Sequence, residues 1–164
     1  MPLQLRVGAE PRRNRLIKDR NHDCYRLRGK PRASAWCPIC GVVFHGGRWQ
    51  WSAKEADAHQ EKCPACLRVQ DRMPAGFLRL EGPFFAEHAG EILNCVKNEA
   101  EKVNAQHALH RIIEVKHEEG RTLITTTDPH LARGLGEALH HSYKGELDFH
   151  YVEEDTVVRV SWRR

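Results

Sequence analysis

Two cysteine turns decide the fold of the first half of this chain: Cys37-Pro-Ile-Cys40 and, 22 residues later, Cys63-Pro-Ala-Cys66. Each turn places two thiolates on the same side of a tight loop, and two such turns complete a tetrahedron of sulfur ligands around one metal ion. Gly41 directly follows the first pair and lets the backbone turn toward the sulfurs. We therefore predict a closed, structural metal site made by these four cysteines.

Zinc is the ion that this cage of four thiolates predicts, with iron as the main rival, because soft ligands in tetrahedral geometry suit both metals. Four thiolates leave no open coordination position, so the ion should not activate water. His45 and His59 lie close in sequence and remain alternative ligands. Of the other cysteines, Cys95 is interpreted as a small buried apolar residue, and Cys24 as an extra ligand or, more simply, a free thiol.

Length and composition indicate a globular protein outside the membrane. The chain has 164 residues, of which 40% are hydrophobic, enough for one ordinary domain or two small ones. No apolar run approaches the roughly 20 residues that span a bilayer, and residues 1–20 lack the apolar core of a secretory signal. We expect a cytoplasmic protein with no membrane partner.

Positive charge is concentrated in residues 1–36, which carry ten Lys/Arg and three acidic residues and so have a net charge of +7. The total of +4 leaves a net charge of −3 for residues 37–164. With few large apolar residues, the segment is predicted to be a flexible arm, and its alternative interpretation is a solubilising tail. Because Arg forks match phosphate oxygens, the predicted nucleic-acid contacts of the arm are Arg6, Arg12, Arg13, Arg15, Lys18, Arg20, Arg26, Arg28, Lys30 and Arg32.

Residues 37–73 are predicted to form the four-cysteine module, zinc-ribbon-like or treble-clef-like in fold. A Gly-Gly pair between two β-prone segments is typical of a tight hairpin turn, and Ser-x-x-Glu is a helix capping box. The expected elements are strands at 42–45 and 48–51 joined by Gly46-Gly47, a short helix starting at Ala53 after Ser52, and a second helix running from Pro64 to Val69.

Tryptophan is concentrated beside the metal motif, where Trp49 and Trp51 are expected to share one strand face. The simpler interpretation is that both rings wall in the metal site. The alternative is that they stack on unpaired bases with help from Arg48, which adds these three residues to the predicted nucleic-acid contacts.

Residues 74–164 are predicted to form an α+β module with the order β-α-β-β-α-β-β. This is the split β-α-β pattern of ferredoxin-like sandwiches with one added strand, and it favours one antiparallel sheet with both helices on one face. Asp128-Pro129 marks a helix start, with Asp as the N-cap. The expected elements are strands at 76–80, 111–117, 123–127, 147–151 and 156–162 and helices at 84–103 and 129–143.

Two stretches together resemble the large-ribosomal-subunit export adaptors, the Nmd-three family, and small bacterial proteins of unknown role with the same layout. They are the paired CPxC module and the segment from Thr122 to Leu139 with the hairpin that follows it. The resemblance covers roughly residues 37–164. It implies a contact with the ribosome or another structured RNA, and it carries over the four cysteines as metal ligands.

We therefore expect a non-enzymatic zinc protein that binds the ribosome or structured RNA. The alternatives are a protein–protein adaptor that binds its partner through the α+β module, and an enzyme of unknown type. No catalytic residue is predicted, because the eleven histidines are scattered and the chain has no P-loop, GxSxG or HExxH motif. The segment from Thr125 to Asp128 could hold a phosphate at a helix start but is more simply a strand end and an N-cap.

Overall fold

The computed structural model describes Tyr25, residues 34–151 and residues 157–164. These residues form a mixed α/β structure with two sheets and three helices. None of these helices combines the length and the apolar character that would let it cross a membrane. The ten basic residues of the predicted arm and Cys24 lie outside the described residues.

The first sheet consists of four very short strands in the order β3-β2-β1-β4: β1 (Ala35–Trp36), β2 (Val43–His45), β3 (Arg48–Gln50) and β4 (His59–Gln60). Strands β2 and β3 form the predicted hairpin, with Gly46 and Gly47 at φ values of 60° and 86° in its turn. Strand β1 pairs antiparallel with β2 and parallel with β4, so Ala35 and Trp36 at the end of the predicted arm belong to this sheet.

Helix α1 (Pro64–Asp71) follows the first sheet and has Pro64 in its first turn, as predicted, and Cys63 is its N-cap. Arg72 ends the helix in the left-handed conformation, at φ 53°, where its N–H donates to the carbonyl oxygens of Arg68 and Val69. The helix therefore projects both cysteines of the second pair from its first turn.

The short helix predicted from Ala53 is wrong, because residues 52–55 have no regular structure. The carboxylate of Glu55 does not cap a helix. It accepts a hydrogen bond from Ser34 Oγ at 2.5 Å and lies 2.8 Å from His45 Nδ1. These contacts tie the segment to the first sheet, and tertiary partners have thereby replaced the local capping box.

The second sheet has five longer strands, and the two remaining helices pack with it. We refer to residues 76–164 as the second region and to residues 35–71, with the first sheet and α1, as the first region. The elements in chain order are β5 (Gly76–Glu81), α2 (Pro83–Gln106), β6 (Ile112–Glu118), β7 (Arg121–Thr126), α3 (Pro129–Tyr143), β8 (Glu146–Tyr151) and β9 (Val158–Arg163). This confirms the predicted β-α-β-β-α-β-β order. Asp128 is the N-cap of α3 and accepts hydrogen bonds from the backbone N–H of His130 and Leu131, also as predicted.

Strand β9 differs from the expectation of a wholly antiparallel sheet. The strand order is β6-β7-β5-β9-β8, in which β9 lies between β5 and β8 and runs parallel to β5. Strands β8 and β9 form an antiparallel hairpin. Because β8 is the edge strand, β9 takes the position next to β5 and runs parallel to it there. The alternation of apolar residues fixes which face of a strand is buried but does not fix its neighbours.

Both helices pack on one face of this sheet and bury its core. Trp162, Leu78 and Ile124 are fully buried on the sheet side. The helices contribute apolar stripes to the same cluster: Phe85, Ile92, Val96 and Ala100 from α2, and Leu131, Leu135 and Leu139 from α3. The indole N–H of Trp162 donates to the carbonyl oxygen of Lys144 at 2.8 Å, which satisfies the one polar group of this ring.

Candidate metal centre

The first cysteine turn is closed by its own backbone. Cys37 N–H donates to the carbonyl oxygen of Val42 at 2.8 Å, and Gly41 N–H donates to the carbonyl oxygen of Cys37 at 2.8 Å. Gly41 has a φ of 80°, a left-handed conformation that glycine adopts without strain. The turn thus places the Cys37 and Cys40 sulfurs on one side, as the sequence predicted.

The second pair occupies the start of α1. The Cys63 sulfur caps the helix by accepting a hydrogen bond from Cys66 N–H at 3.4 Å. Free N–H groups and the positive end of the helix dipole favour negative sulfur at this position. The local structure therefore offsets part of the cost of burying the thiolate form that binds metals.

The four sulfurs converge to the dimensions of one metal site. They all lie within 4.8 Å of one another, and Cys40 Sγ is 3.7 Å from Cys63 Sγ. A tetrahedron with metal–sulfur bonds of about 2.3 Å has edges of about 3.8 Å. The donor set and the spacing both fit a single ion, so these four residues, the four-cysteine cluster, could hold one metal ion.

Arg111 contacts three of the four sulfurs from the second region of the molecule. Its Nη1 donates to Cys66 Sγ at 3.3 Å, and its Nη2 donates to Cys40 Sγ at 3.1 Å and to Cys63 Sγ at 3.7 Å. The planar guanidinium fork holds its donors in a fixed geometry toward several acceptors at once, whereas a lysine would present a compact ammonium without that fork. Arg111 therefore offsets part of the negative charge that four thiolates and one divalent ion would carry.

The backbone around Arg111 is held by several polar contacts, because the chain between α2 and β6 has no sheet or helix of its own. Thr127 Oγ1 accepts from Arg111 N–H at 2.9 Å and donates to the carbonyl oxygen of Leu109 at 2.6 Å. The Asn104 amide donates to the carbonyl oxygens of Ala108 and His110 at 3.2 and 3.1 Å. Ala108 is buried against the four-cysteine cluster, so this loop closes one side of the site.

The pKa values of three thiols in the cluster are shifted in different directions. Burial alone would raise the pKa of Cys37, but hydrogen bonds from the backbone of Cys63, Cys40 and Ile39 lower it to about 6. Burial raises the pKa of Cys63 and Cys66 above the ordinary value despite the nearby Arg111. Because the thiolate is the ligating form, metal binding must release protons from these buried thiols.

Trp49 and Trp51 lie beside the metal site and the loop that closes it, with the Arg111 guanidinium 5.8 Å from the Trp51 ring centroid. Trp49 packs against the four-cysteine cluster and meets Phe44 edge to face at a centroid distance of 5.4 Å, in agreement with a wall of the metal site. Trp51 lies beyond the end of β3 and is 45% exposed, and its indole N–H donates to the carbonyl oxygen of Asn104 at 2.8 Å. Arg48 is exposed on β3.

Neither alternative histidine ligand lies in the cluster. His45 pairs with Glu55, and His59 lies 3.1 Å from Glu61, with both imidazoles largely exposed. Cys95 is partly buried against the core of the second region, which supports its interpretation as an apolar residue. Of residues 1–33 the structure describes Tyr25, whose hydroxyl donates to Asp71 at 2.9 Å on α1.

A group of histidines beside the Arg111 loop was not predicted from the sequence. His110 stacks on His107 at a centroid distance of 4.9 Å, and its Nε2 lies 3.4 Å from Asp128 Oδ2. His130 Nδ1 lies 3.1 Å from the other oxygen of the same carboxylate. These residues are separated by up to 23 positions in the chain, and the useful sequence signal was the N-cap Asp128, which fixes the carboxylate at this point.

Hydrogen bonds, neighbouring charges and burial shift the pKa values of Asp128 and His110. Burial alone would raise the pKa of Asp128, but the hydrogen bond from His130 and the neighbouring histidine charges hold it below the ordinary value. Burial lowers the pKa of His110 although Asp128 opposes that shift. The carboxylate thus stays ionised and orders the start of α3 together with the loop that carries Arg111.

Comparisons of the chain with protein-family models, with curated proteins and with solved structures found no match. The resemblance to the Nmd-three family therefore stays a prediction. A functional proposal for this chain rests on its own residues and geometry.

Proposed function

We propose that the chain is a non-enzymatic zinc protein of the cytoplasm that binds the ribosome or another structured RNA. The observation that carries this proposal is the separation of charge along the chain. Residues 1–33 hold ten basic and three acidic residues, whereas residues 34–164 hold 16 basic and 19 acidic residues. A strongly cationic segment attached to a weakly acidic body suits a polyanion that the segment contacts through phosphates.

Zinc has a structural role in this proposal. Four thiolates would fill its coordination sphere, and Arg111 supplies cationic hydrogen bonds to three of them. Hydrogen bonds to metal ligands orient the ligands and tune their affinity for the metal. The site would fix the first sheet and α1 beside the Arg111 loop, and thereby give the arm a defined point of attachment.

The resemblance to large-subunit export adaptors supports ribosomal RNA as the partner, and the arm supports phosphate contacts in general. Each neutralised phosphate releases condensed counterions, so the affinity should fall linearly with salt concentration on a log–log scale. A protein adaptor with the same zinc module would not show such a slope.

The experiment is a binding titration of the full chain with purified ribosomes at several salt concentrations. In one variant the ten Lys/Arg of residues 6–32 become Gln. In the opposite variant Glu10, Asp19 and Asp23 become Gln or Asn. We expect the first change to flatten the log–log slope by most of its value and the second to strengthen binding.

Equal binding by all three proteins at every salt concentration would contradict the phosphate role of the arm. The same proteins, captured from lysate with and without ribonuclease, separate the two classes of partner. Loss of the partners after ribonuclease supports RNA, whereas their retention would overturn the proposal in favour of a protein adaptor.

A further inference from the structure

The second sheet has one face that no described helix covers. Its buried residues alternate along each strand, as with Leu78 and Leu80 in β5 and Val158 and Val160 in β9, and they join the core under α2 and α3. The residues between them point to the opposite side and include the half-buried Phe77 and the exposed Arg79. We refer to this side as the open face.

The strand register places these outward residues in three rows across the sheet. The first row has Phe77 at its centre, between Thr125 of β7 and Arg159 of β9, and ends with Glu114 and His150 on the edge strands. The Arg159 guanidinium lies over the Phe77 ring, 5.0 Å from its centroid. This row therefore presents two flat side-chain planes at the middle of the sheet.

The second row lies beside the first and is cationic at two positions. Arg79 stands at its centre between Leu123 and Ser161, with Lys116 and Asp148 on the edge strands. Arg79 donates a long hydrogen bond of 3.4 Å to Ser161 and is about half exposed. The six central positions of the two rows contain two arginines, Phe77, Leu123, Thr125 and Ser161, and they contain no acidic residue.

The third row alternates in charge and has one more acidic than basic residue. Arg121 and Arg163 alternate there with Glu118, Glu81 and Glu146. Its carboxylates also reach the second row, where Glu81 Oε2 lies 3.8 Å from Arg79 Nε and Glu118 Oε1 lies 3.5 Å from Lys116 Nζ. The positive charge of the open face is therefore concentrated on the three central strands, which carry four arginines and one acidic residue there, whereas the edge strands are mostly acidic.

A groove of about 770 Å³ lies over these rows and is lined by Phe77, Arg79, Leu123, Arg159 and two acidic residues, Glu118 and Asp148, among others. Its volume is in the range of about 300–1,000 Å³ that ligand sites in proteins occupy. Bases of unpaired RNA stack on aromatic rings and guanidinium planes, and cationic side chains beside those planes contact the phosphates. An apolar peptide would find two large apolar side chains here, bordered by charged groups.

We propose that the open face binds an unpaired segment of RNA, with bases stacked on Phe77 and Arg159. Phosphates would be held by Arg79 and Lys116 in exchange for their long, exposed ion pairs with Glu81 and Glu118, which contribute little to stability. This inference rests on the proposed RNA-binding function and adds a second contact surface to the arm. The arm would supply attraction that is independent of structure, and the open face would select RNA whose bases are not paired.

The experiment measures binding of the full chain to a fluorescent single-stranded RNA of about eight nucleotides. Salt of about 0.3 M weakens the phosphate contacts of the arm, so that stacking dominates the measured affinity. We expect Phe77→Leu to weaken binding about tenfold, because stacking on an aromatic ring is lost. We expect Arg79→Gln to weaken binding and to reduce the log–log salt slope by about one.

Phe84→Leu is the matched control, because Phe84 is also half-buried under an arginine, with Arg164 4.1 Å from its ring centroid, but belongs to α2. It should bind the oligonucleotide as the native chain does. Polyphosphate, which has phosphates without bases, should bind the Phe77→Leu variant and the native chain equally. A variant whose NMR spectrum matches the native spectrum outside the open face is correctly folded.

If Phe77→Leu and Arg79→Gln bind the oligonucleotide as tightly as the native chain does, this inference is overturned. Ribosome binding by the native chain would still support the proposed function in that case. Failure of the native chain to bind either ribosomes or the oligonucleotide would overturn both. The Phe77→Leu variant could instead lose a protein partner that resists ribonuclease treatment while it still binds the oligonucleotide. That outcome would make the open face a protein-docking surface and would also contradict the inference.

Discussion

The two sheets of this molecule are held together by different physical means. The strands of the first sheet have two or three residues each, and three of the six buried residues in its core cluster are cysteines. The strands of the second sheet have six or seven residues, and its core contains fifteen buried residues, including Trp162. Because so small an apolar core cannot offset chain entropy, the first region would need metal–thiolate bonds, which its four cysteines could supply, whereas the second depends on apolar burial.

The sharpest test of this difference is loss of one ligand. We expect Cys63→Ser to abolish stoichiometric metal binding and to unfold the first sheet and α1, because a structural zinc contributes about 10–16 kcal/mol to such modules. Two-dimensional NMR should show collapsed dispersion for residues 35–71 and native signals for β5 to β9.

Cys95→Ser is the control, since Cys95 lies outside the four-cysteine cluster and should leave metal content unchanged. A Cys63→Ser protein that keeps its metal and its native spectrum would contradict the dependence of the first region on its four thiolates.

The converse test weakens the second region and leaves the metal in place. Leu78 is fully buried under the helices, so Leu78→Ala should lower the free energy of unfolding by about 2–5 kcal/mol through the lost contacts and the cavity. Denaturant unfolding followed by tryptophan fluorescence measures this change, and metal analysis should still find one ion per chain. Val115→Ala, at a residue that is 40% exposed, should change the free energy little, and an equal loss in both variants would count against a packed core here.

A third test addresses the contact that joins the two regions. Arg111→Lys keeps the positive charge but loses the planar fork, so the apparent metal affinity should fall about tenfold to a hundredfold. Competition with a chromophoric chelator measures the affinity. Arg121→Lys, at an exposed arginine of the second sheet, should bind the metal with native affinity. Equal affinities in all three proteins would mean that the sulfur contacts of Arg111 contribute nothing to the site.

The smallest expected effect concerns His110. Burial lowers its pKa in the folded protein, so the unfolded chain binds the proton more readily. The stability that neutral His110 contributes is therefore present above its ordinary pKa of 6.5 and is lost as the pH falls through the lowered value. Between about pH 7 and pH 5, the free energy of unfolding should decrease less steeply in His110→Gln than in the native chain. Parallel curves for the native chain and His110→Gln would exclude this role of His110.

The elements that the sequence predicted well are those whose signals are local. The CPxC turns, the Asp128-Pro129 helix start and the Gly46-Gly47 hairpin each depend on a few neighbouring residues, and the structure contains all of them. Apolar alternation likewise predicted the strands of the second sheet. Such signals act through backbone geometry within one turn or one strand, so they persist wherever no stronger tertiary contact competes with them.

The features that were missed depend on contacts between distant residues. Arg111 is 71 positions from Cys40, and nothing in its neighbourhood distinguishes it from any other arginine at a strand start. The parallel placement of β9 follows from which strand occupies the edge, and the helix at Ala53 was lost because Glu55 found partners in Ser34 and His45. In each case tertiary pairing, which local patterns do not encode, decided the outcome.

X-ray absorption at the metal edge, combined with native mass spectrometry of the purified full chain, tests whether the first sheet needs a zinc ion held by the four cysteines. We predict one zinc ion per chain with four sulfur ligands at about 2.3 Å, and unfolding of the first region alone when the ion is removed by a chelator. A purified protein that carries no metal and still has a folded first sheet would contradict this structural role of zinc.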